Sequence, residues 1–113
     1  MATDPYLLER IRRILKEQSI TWIEKRMFGG DCFMVNDKMC VGTFGGGVMA
    51  RVDPGKIPEL ITKAGASQMT MAGKVMKGYL LIESEGYDSD EDLELWLKEC
   101  LAFNPKAKAS KKQ

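Results

Sequence analysis

Short apolar segments separated by glycines constrain the fold of this chain more than any other feature. The breaks fall at Gly29-Gly30, Gly45–Gly47, Gly65, Gly73 and Gly78. Apolar segments of about four to eight residues between such breaks are typical of strands joined by tight turns. The pair Asn36-Asp37 separates two of these segments and suits the positive φ angles of a two-residue hairpin turn. We therefore expect a sheet built largely from hairpins.

Helix signals lie at the start, in the middle and near the end of the chain. Asp4-Pro5 and Asp53-Pro54 each combine a capping carboxylate with a proline at the first helical position. Ser89 precedes an acidic turn and an apolar stripe at helical spacing, which is typical of a capped helix. These patterns predict a helix over residues 5–18, a shorter one after Asp53-Pro54, and a third that ends at Asn104-Pro105.

The predicted order is α-β-β-β-β-α-β-β-α, which indicates an α+β fold with two layers. Strands are expected at residues 20–27, 32–35, 39–43, 48–52, 68–71 and 79–83. Hairpins with helices at the ends and in the middle favour an antiparallel sheet with the helices on one face. The 113 residues suffice for one domain, which we place at 1–104, and the Lys-rich tail at 105–113 is predicted to be disordered.

The charge distribution argues against a duplex-binding body. The chain has 17 basic and 16 acidic residues, and the tail after Phe103 holds four of the lysines. The rest therefore carries 13 basic against 16 acidic residues, a net charge of −3. Arg10, Arg12, Arg13 and Lys16 are interpreted as a solvated face of the first helix. Any nucleic-acid binding is predicted to be weak or indirect and to depend on the tail.

The sequence predicts a cytoplasmic protein without a membrane segment. No apolar run approaches the ~20 residues of a membrane span, and the amino-terminal residues lack the apolar region of a signal peptide. Cys32, Cys40 and Cys100 have no metal-ligand spacing, so no metal site is expected. No disulfide is expected either, because a two-residue hairpin turn directs Cys32 and Cys40 to opposite faces and Cys100 lies on the last helix.

No catalytic constellation can be assembled from these residues. The chain has no histidine, which removes the commonest general base and any Ser–His or Cys–His pair. Gly73-Lys74 is followed by Val75 rather than Ser or Thr, so the segment is not a phosphate-binding loop. We predict a non-enzyme without cofactors. A local basic spot supplies the candidate binding residues, namely Arg26, Arg51, Lys74 and Lys77.

Both faces of the predicted hairpin carry large apolar side chains. A two-residue turn places Phe33, Val35 and Cys40 on one face, and Cys32, Met34, Met39 and Val41 on the other. Either a partner subunit covers one face, or a few apolar residues are simply exposed. The candidate dimer face comprises Phe33, Val35 and Cys40. The eight methionines fit either a methionine-packed core or a methionine-lined binding surface.

Five segments, in order, resemble the N-terminal domain of the TfoX/Sxy family of bacterial competence regulators. They are Arg26–Gly30, Phe33-Met34 with Met39–Gly42, Met49–Val52, Met71–Tyr79 and Leu93–Phe103. The resemblance implies a two-layer α+β fold with an antiparallel sheet. It also implies a regulatory role, since two-domain members promote competence-gene transcription together with the cyclic-AMP receptor protein. It supplies no catalytic residues.

The motifs correspond only to the first domain of the two-domain regulators. The leading hypothesis is therefore a non-enzymatic, regulatory protein-interaction module whose partner is unidentified and which can form a homodimer. The alternatives are a nucleic-acid-binding transcriptional co-activator and a small-ligand-binding domain.

Overall fold

The computed structural model describes residues 5–27, 30–44, 47–71 and 73–107. In these ranges six strands form: β1 (Ile23–Met27), β2 (Gly30–Val35), β3 (Lys38–Phe44), β4 (Gly47–Arg51), β5 (Ala66–Met71) and β6 (Lys74–Ile82). The helices are α1 (Pro5–Glu17), α2 (Ile57–Leu60), α3 (Ser84–Tyr87) and α4 (Asp90–Phe103), with 3₁₀ turns at Pro54–Lys56 and Asn104–Lys106. No helix of the described residues is long and apolar enough to cross a membrane.

All six strands belong to one antiparallel sheet in the order β1-β2-β3-β4-β6-β5. The predicted α+β class and element order are confirmed. Strand β6 is longer than predicted. It pairs with both β4 and β5, so that β5, the first strand of the last hairpin, forms the edge of the sheet. The short helix α3 was not predicted.

The β2–β3 hairpin has the predicted two-residue turn, with φ of 56° at Asn36 and 64° at Asp37. Its register then shifts, because Met34 lies opposite Met39 whereas Phe33 lies opposite Val41. Cys40 is the extra residue of a β-bulge, which moves every later side chain of β3 to the other face. The predicted grouping of Val41 with Met39 is therefore wrong, and Val41 faces the helices.

The main core lies between the helices and one face of the sheet, which we call the helix face. Apolar residues of α1 and α4 pack there against β2, β3, β4 and β6; the largest fully buried side chains among them include Ile11, Leu15, Phe33, Leu80, Ile82, Leu93, Trp96 and Leu97. The helical spacing of apolar residues in α1 and α4 produces this layer. Ser89 caps α4 as predicted, since its Oγ accepts from the Asp92 N–H at 3.1 Å.

Arg10 is buried, which corrects its assignment to a solvated face. Its side chain donates to Asp90 Oδ1 at 3.2 Å, and to the carbonyl oxygens of Tyr87 at 2.8 Å and Asp88 at 3.1 Å. The guanidinium lies 5.9 Å from the ring centroids of both Tyr6 and Tyr87. Arg10 therefore joins α1 to the segment between α3 and α4, and it is retained in the core because its donors find acceptors there.

The chain after α4 packs back onto the hairpin. Asn104 is buried, and its Nδ2 donates to the Val35 carbonyl at 3.0 Å, while its Oδ1 accepts from Asn36 at 2.8 Å. Residues 105–107 belong to this packed turn, and Ala107 is buried. The tail predicted at 105–113 therefore does not begin at residue 105 as a disordered segment. The predicted cap at Asp4, the turns at 28–29 and 45–46, and residues 108–113 of the predicted tail lie outside the described residues.

Candidate interaction site

The sheet face opposite the helices carries a second apolar cluster, which we call the methionine face. Its buried members are Cys32, Met34, Met39, Met49 and Met69. Half-buried side chains border them, namely Phe44, Met76, Tyr79 and Leu81. Methionine side chains are flexible and polarisable, so such a surface can adapt its shape to a partner. The sequence left a methionine core and a methionine-lined surface open, and the structure combines a buried centre with a partly exposed border.

The candidate dimer face is not a free surface of this chain. Phe33, Val35 and Cys40 are at most 5% exposed and belong to the core beneath α1 and α4. The prediction chose the wrong face because hairpin parity separates the two sets of residues without indicating which set the helices cover. The opposite face does not depend on a partner for cover either, since Cys32 and Met39 are buried within the single chain.

Arg51 is the candidate binding residue that contacts the buried part of the methionine face. It lies opposite Tyr79 in the β4–β6 register, and its guanidinium carbon is 5.5 Å from the Tyr79 ring centroid. Its Nη1 donates to the Met39 carbonyl at 3.4 Å. Among the described residues, no carboxylate lies within ion-pairing distance of this half-buried guanidinium. The site thus offers a cation and an aromatic ring beside flexible apolar side chains.

A kink in β6 places Tyr79 at this position. The pairing passes from Thr70–Val75 to Gln68–Leu80, so β6 has additional residues in the interval, and Gly78 takes a φ of +82°. The Gln68 amide donates to the carbonyl oxygens of Met76 and Tyr79 at 3.0 and 3.1 Å, which satisfies backbone groups that the interrupted ladder leaves unpaired. Burial raises the pKa of the Tyr79 hydroxyl, so the ring is neutral beside Arg51.

The other candidate binding residues are not gathered around Arg51. Arg26 lies at the end of β1, with its side chain 72% exposed and its Nη1 3.5 Å from Asp31. Lys74 and Lys77 are exposed in β6, at the opposite end of the sheet from Arg26. The predicted basic spot is therefore dispersed over two ends of the sheet.

The basic residues of α1 are largely paired with acids. Arg12 forms two hydrogen bonds of 2.8 Å to the Glu24 carboxylate and a third of 3.2 Å to Glu9. The hydrogen bonding that Arg12 donates to Glu24 is the main cause that raises the pKa of Arg12, and it is also the main cause that lowers the pKa of Glu24. Arg13 pairs with Asp90 at 3.2 Å. This helix surface is consequently a poor phosphate-binding surface, because its charges are already compensated.

The start of α4 is held by the Asp90 side chain and by the Ser89 cap. Asp90 receives hydrogen bonds from Arg10 and Arg13, and the Asp92 N–H is capped by Ser89. Within the described residues, no group of three or more Cys, Asp or Glu side chains is arranged to hold a metal ion. The Asp90 carboxylate thus fastens the start of α4 to α1, and the Ser89 hydroxyl caps the helix.

The three cysteines are buried and form no disulfide. Burial raises the pKa of Cys40 to about 12, and burial also raises that of Cys100. Because the thiolate is the reactive form, these two cysteines are poor nucleophiles in the folded protein. Cys32 lies on the methionine face, whereas Cys40 and Cys100 lie in the helix-side core.

We expect all three thiols to be reduced and unreactive until the protein unfolds. At pH 8 a thiol reagent should modify the native protein slowly. When the protein is denatured in the absence of reductant, the same reagent should modify all three cysteines. Mass spectrometry after alkylation gives the number of labelled cysteines. A mass two daltons low, with fewer than three labels, would demonstrate a disulfide.

The raised pKa of Cys40 also predicts that the free energy of unfolding falls between pH 9 and about 12, because in that range the thiol ionises only in the unfolded chain.

Comparison with known proteins identifies the family of this fold. The family model of the TfoX N-terminal domain matches residues 19–104, which is most of the chain and includes all six strands of the described structure. No curated protein and no solved structure matches. The resemblance predicted from the five motifs is thereby confirmed, and the chain belongs to the TfoX N-terminal domain family.

Proposed function

We propose that this domain is a non-enzymatic regulatory module that binds a protein partner at the border of the methionine face, around Arg51. The observation that carries the proposal is the half-buried Arg51, held over Tyr79 without a carboxylate partner among the described residues. A partner that presents a carboxylate beside apolar side chains would complement this site. Arginine and tyrosine are among the residues most often found at the energetic centres of protein interfaces.

The family membership supports a regulatory role rather than catalysis. A catalytic reading would need a poised base or nucleophile, whereas the chain has no histidine and its thiols are buried. The proposal also places the module in the cytoplasm, where three reduced thiols are expected. Nucleic-acid binding is the alternative prediction, and the lysines at 108, 111 and 112 that motivate it lie outside the described residues.

Replacing Arg51 by alanine should reduce partner binding strongly while leaving the fold intact. Loss of an arginine at an interface centre costs about 2 kcal/mol or more, which corresponds to roughly thirtyfold in affinity. The fold loses one weak hydrogen bond, to the Met39 carbonyl, and the contact of the guanidinium with the Tyr79 ring, so the melting temperature should change little. Immobilised wild-type and Arg51→Ala proteins are compared in native extract by quantitative mass spectrometry, and proteins that only the wild type enriches are then titrated directly.

Lys16→Ala is the matched control, because Lys16 is an exposed cation on α1 and its replacement changes the net charge equally. The control should retain every partner that the wild type captures. Equal capture by Arg51→Ala, at an unchanged melting temperature, would refute the site.

A further inference from the structure

Among the described residues, no strand pairs with the outer edge of β1. Strand β1 is the terminal strand of the sheet, and all five of its residues pair with β2 in unbroken register. Ile23 is 57% exposed, and the three residues after it are also exposed. We propose that β1 pairs antiparallel with β1 of a second copy of this chain across a twofold axis, so that one sheet continues through both subunits. The inference goes beyond the proposed function, because the outer edge of β1 is separate from the site around Arg51 on β4.

The other edge of the sheet is less suited to such pairing. The β5–β6 pairing is irregular between Gln68 and Thr70, and bulged edges discourage further pairing. Strand β1 has no irregularity over its five residues. A regular exposed edge is a template for another strand, and identical chains most often associate with twofold symmetry.

The side-chain parity of β1 restricts the register of this pairing. Ile23 and Lys25 lie opposite Met34 and Cys32 and share the methionine face, whereas Glu24 and Arg26 project toward the other face. A twofold axis perpendicular to the sheet keeps each side chain of the second copy on the same face as in the first. Residues that lie directly opposite each other must therefore belong to the same face, and the axis passes between two copies of one residue.

Only the register centred on Lys25 brings opposite charges together. Glu24 then lies opposite Arg26 of the partner subunit, and the symmetry repeats this pair. Centring on Glu24 or on Arg26 places like charges on the axis and forms no opposite-charge pair. Opposed unlike charges stabilise antiparallel pairing, whereas opposed like charges weaken it.

Both members of the new ion pair are available to form it. The Arg26 side chain is 72% exposed, and its contact with Asp31 is long, at 3.5 Å. The hydrogen bonds from Arg12 hold Glu24 in place. Trp22 Nε1 also donates to Glu24, at 3.1 Å, so three of about four acceptor positions of this carboxylate are occupied and one remains for a further arginine. The unfavourable element is Lys25, which faces Lys25 of the partner subunit at the axis.

A single introduced cysteine tests the register. Directly opposed residues of antiparallel strands have Cα atoms about 4.5–5.5 Å apart, which lies within the range for disulfides of roughly 4.4–6.8 Å. The native thiols are buried, so Lys25→Cys adds the one accessible thiol among the described residues. Under mild oxidation this variant should become mostly a covalent dimer on a non-reducing gel. Ser67→Cys, exposed on the β5 edge, is the control and should remain mostly monomeric. Equal cross-linking of the two variants would overturn the register.

Two substitutions with opposite expected effects test the charges. Lys25→Thr removes the repulsion on the axis and should lower the dimer Kd roughly two- to fivefold, whereas Arg26→Gln should raise it by a similar factor. Sedimentation over a concentration series gives both values. A monomeric wild type and a monomeric Lys25→Thr at millimolar concentration would refute the dimer. Arg51→Ala should not change the dimer Kd, so failure of this inference is distinguishable from failure of the proposed binding site.

Discussion

Truncating Trp96 should remove much of the stability of this domain. Its side chain is 2% exposed in the core between α4 and the sheet, and its Nε1 donates to the Gly86 carbonyl at 3.1 Å. Replacing a buried aromatic residue by alanine costs about 3–5 kcal/mol, and a domain of this size has only ~5–15 kcal/mol of stability. We expect Trp96→Ala to lower the melting temperature by more than about 10 °C in a calorimetric scan.

Leu95→Ala provides the control on the same helix. Leu95 is 40% exposed, so its truncation should change the free energy of unfolding by about 0.5 kcal/mol or less. An unchanged melting temperature for Trp96→Ala would mean that α4 does not pack against the sheet as described.

A lysine at position 33 should prevent folding, whereas a lysine at position 23 should be tolerated. Phe33 is fully buried beneath the helices, and an ammonium group there would lose its hydration without an acid to pair with. Ile23 is 57% exposed on the neighbouring strand. Urea titrations at low protein concentration should show no cooperative transition for Phe33→Lys and a shift within about 0.5 kcal/mol for Ile23→Lys.

This pair of variants also decides between the two interpretations of the hairpin faces. The sequence favoured Phe33 as part of a subunit interface, in which case Phe33→Lys would give a folded monomer. The structure places it under α1 and α4. A folded Phe33→Lys protein with the stability of the wild type would restore the earlier interpretation.

Features set by local conformation could be predicted from the sequence, whereas features set by distant contacts could not. The turn at Asn36-Asp37 and the cap at Ser89 depend on residues at most three positions apart, and both were predicted. The bulge at Cys40 reverses the faces of β3 and has no local signal. The burial of Arg10 depends on partners 77 to 80 residues away, whereas an arginine in an amphipathic helix is normally exposed.

The candidate site was predictable only in part, for the same reason. Arg51 was singled out from the sequence, but its companion Tyr79 was not. The two meet because β6 enters the sheet beside β4 and is kinked at Gly78, where the Gln68 amide replaces missing strand contacts. Pairing between strands that are not consecutive is decided by the packing of the whole sheet.

The presence of separate apolar clusters on the two faces of one sheet has a consequence for how this domain can evolve. Substitutions among distant residues without shared neighbours combine additively to within about 0.5 kcal/mol, whereas substitutions inside one cluster depend on each other. Residues such as Met49 and Met69 lie in one cluster, whereas Leu93 and Leu97, on α4, lie in the other. Divergence on the methionine face therefore proceeds with little epistasis from the helix layer. The methionine face can therefore change its surface chemistry while the scaffold that sustains folding stays the same.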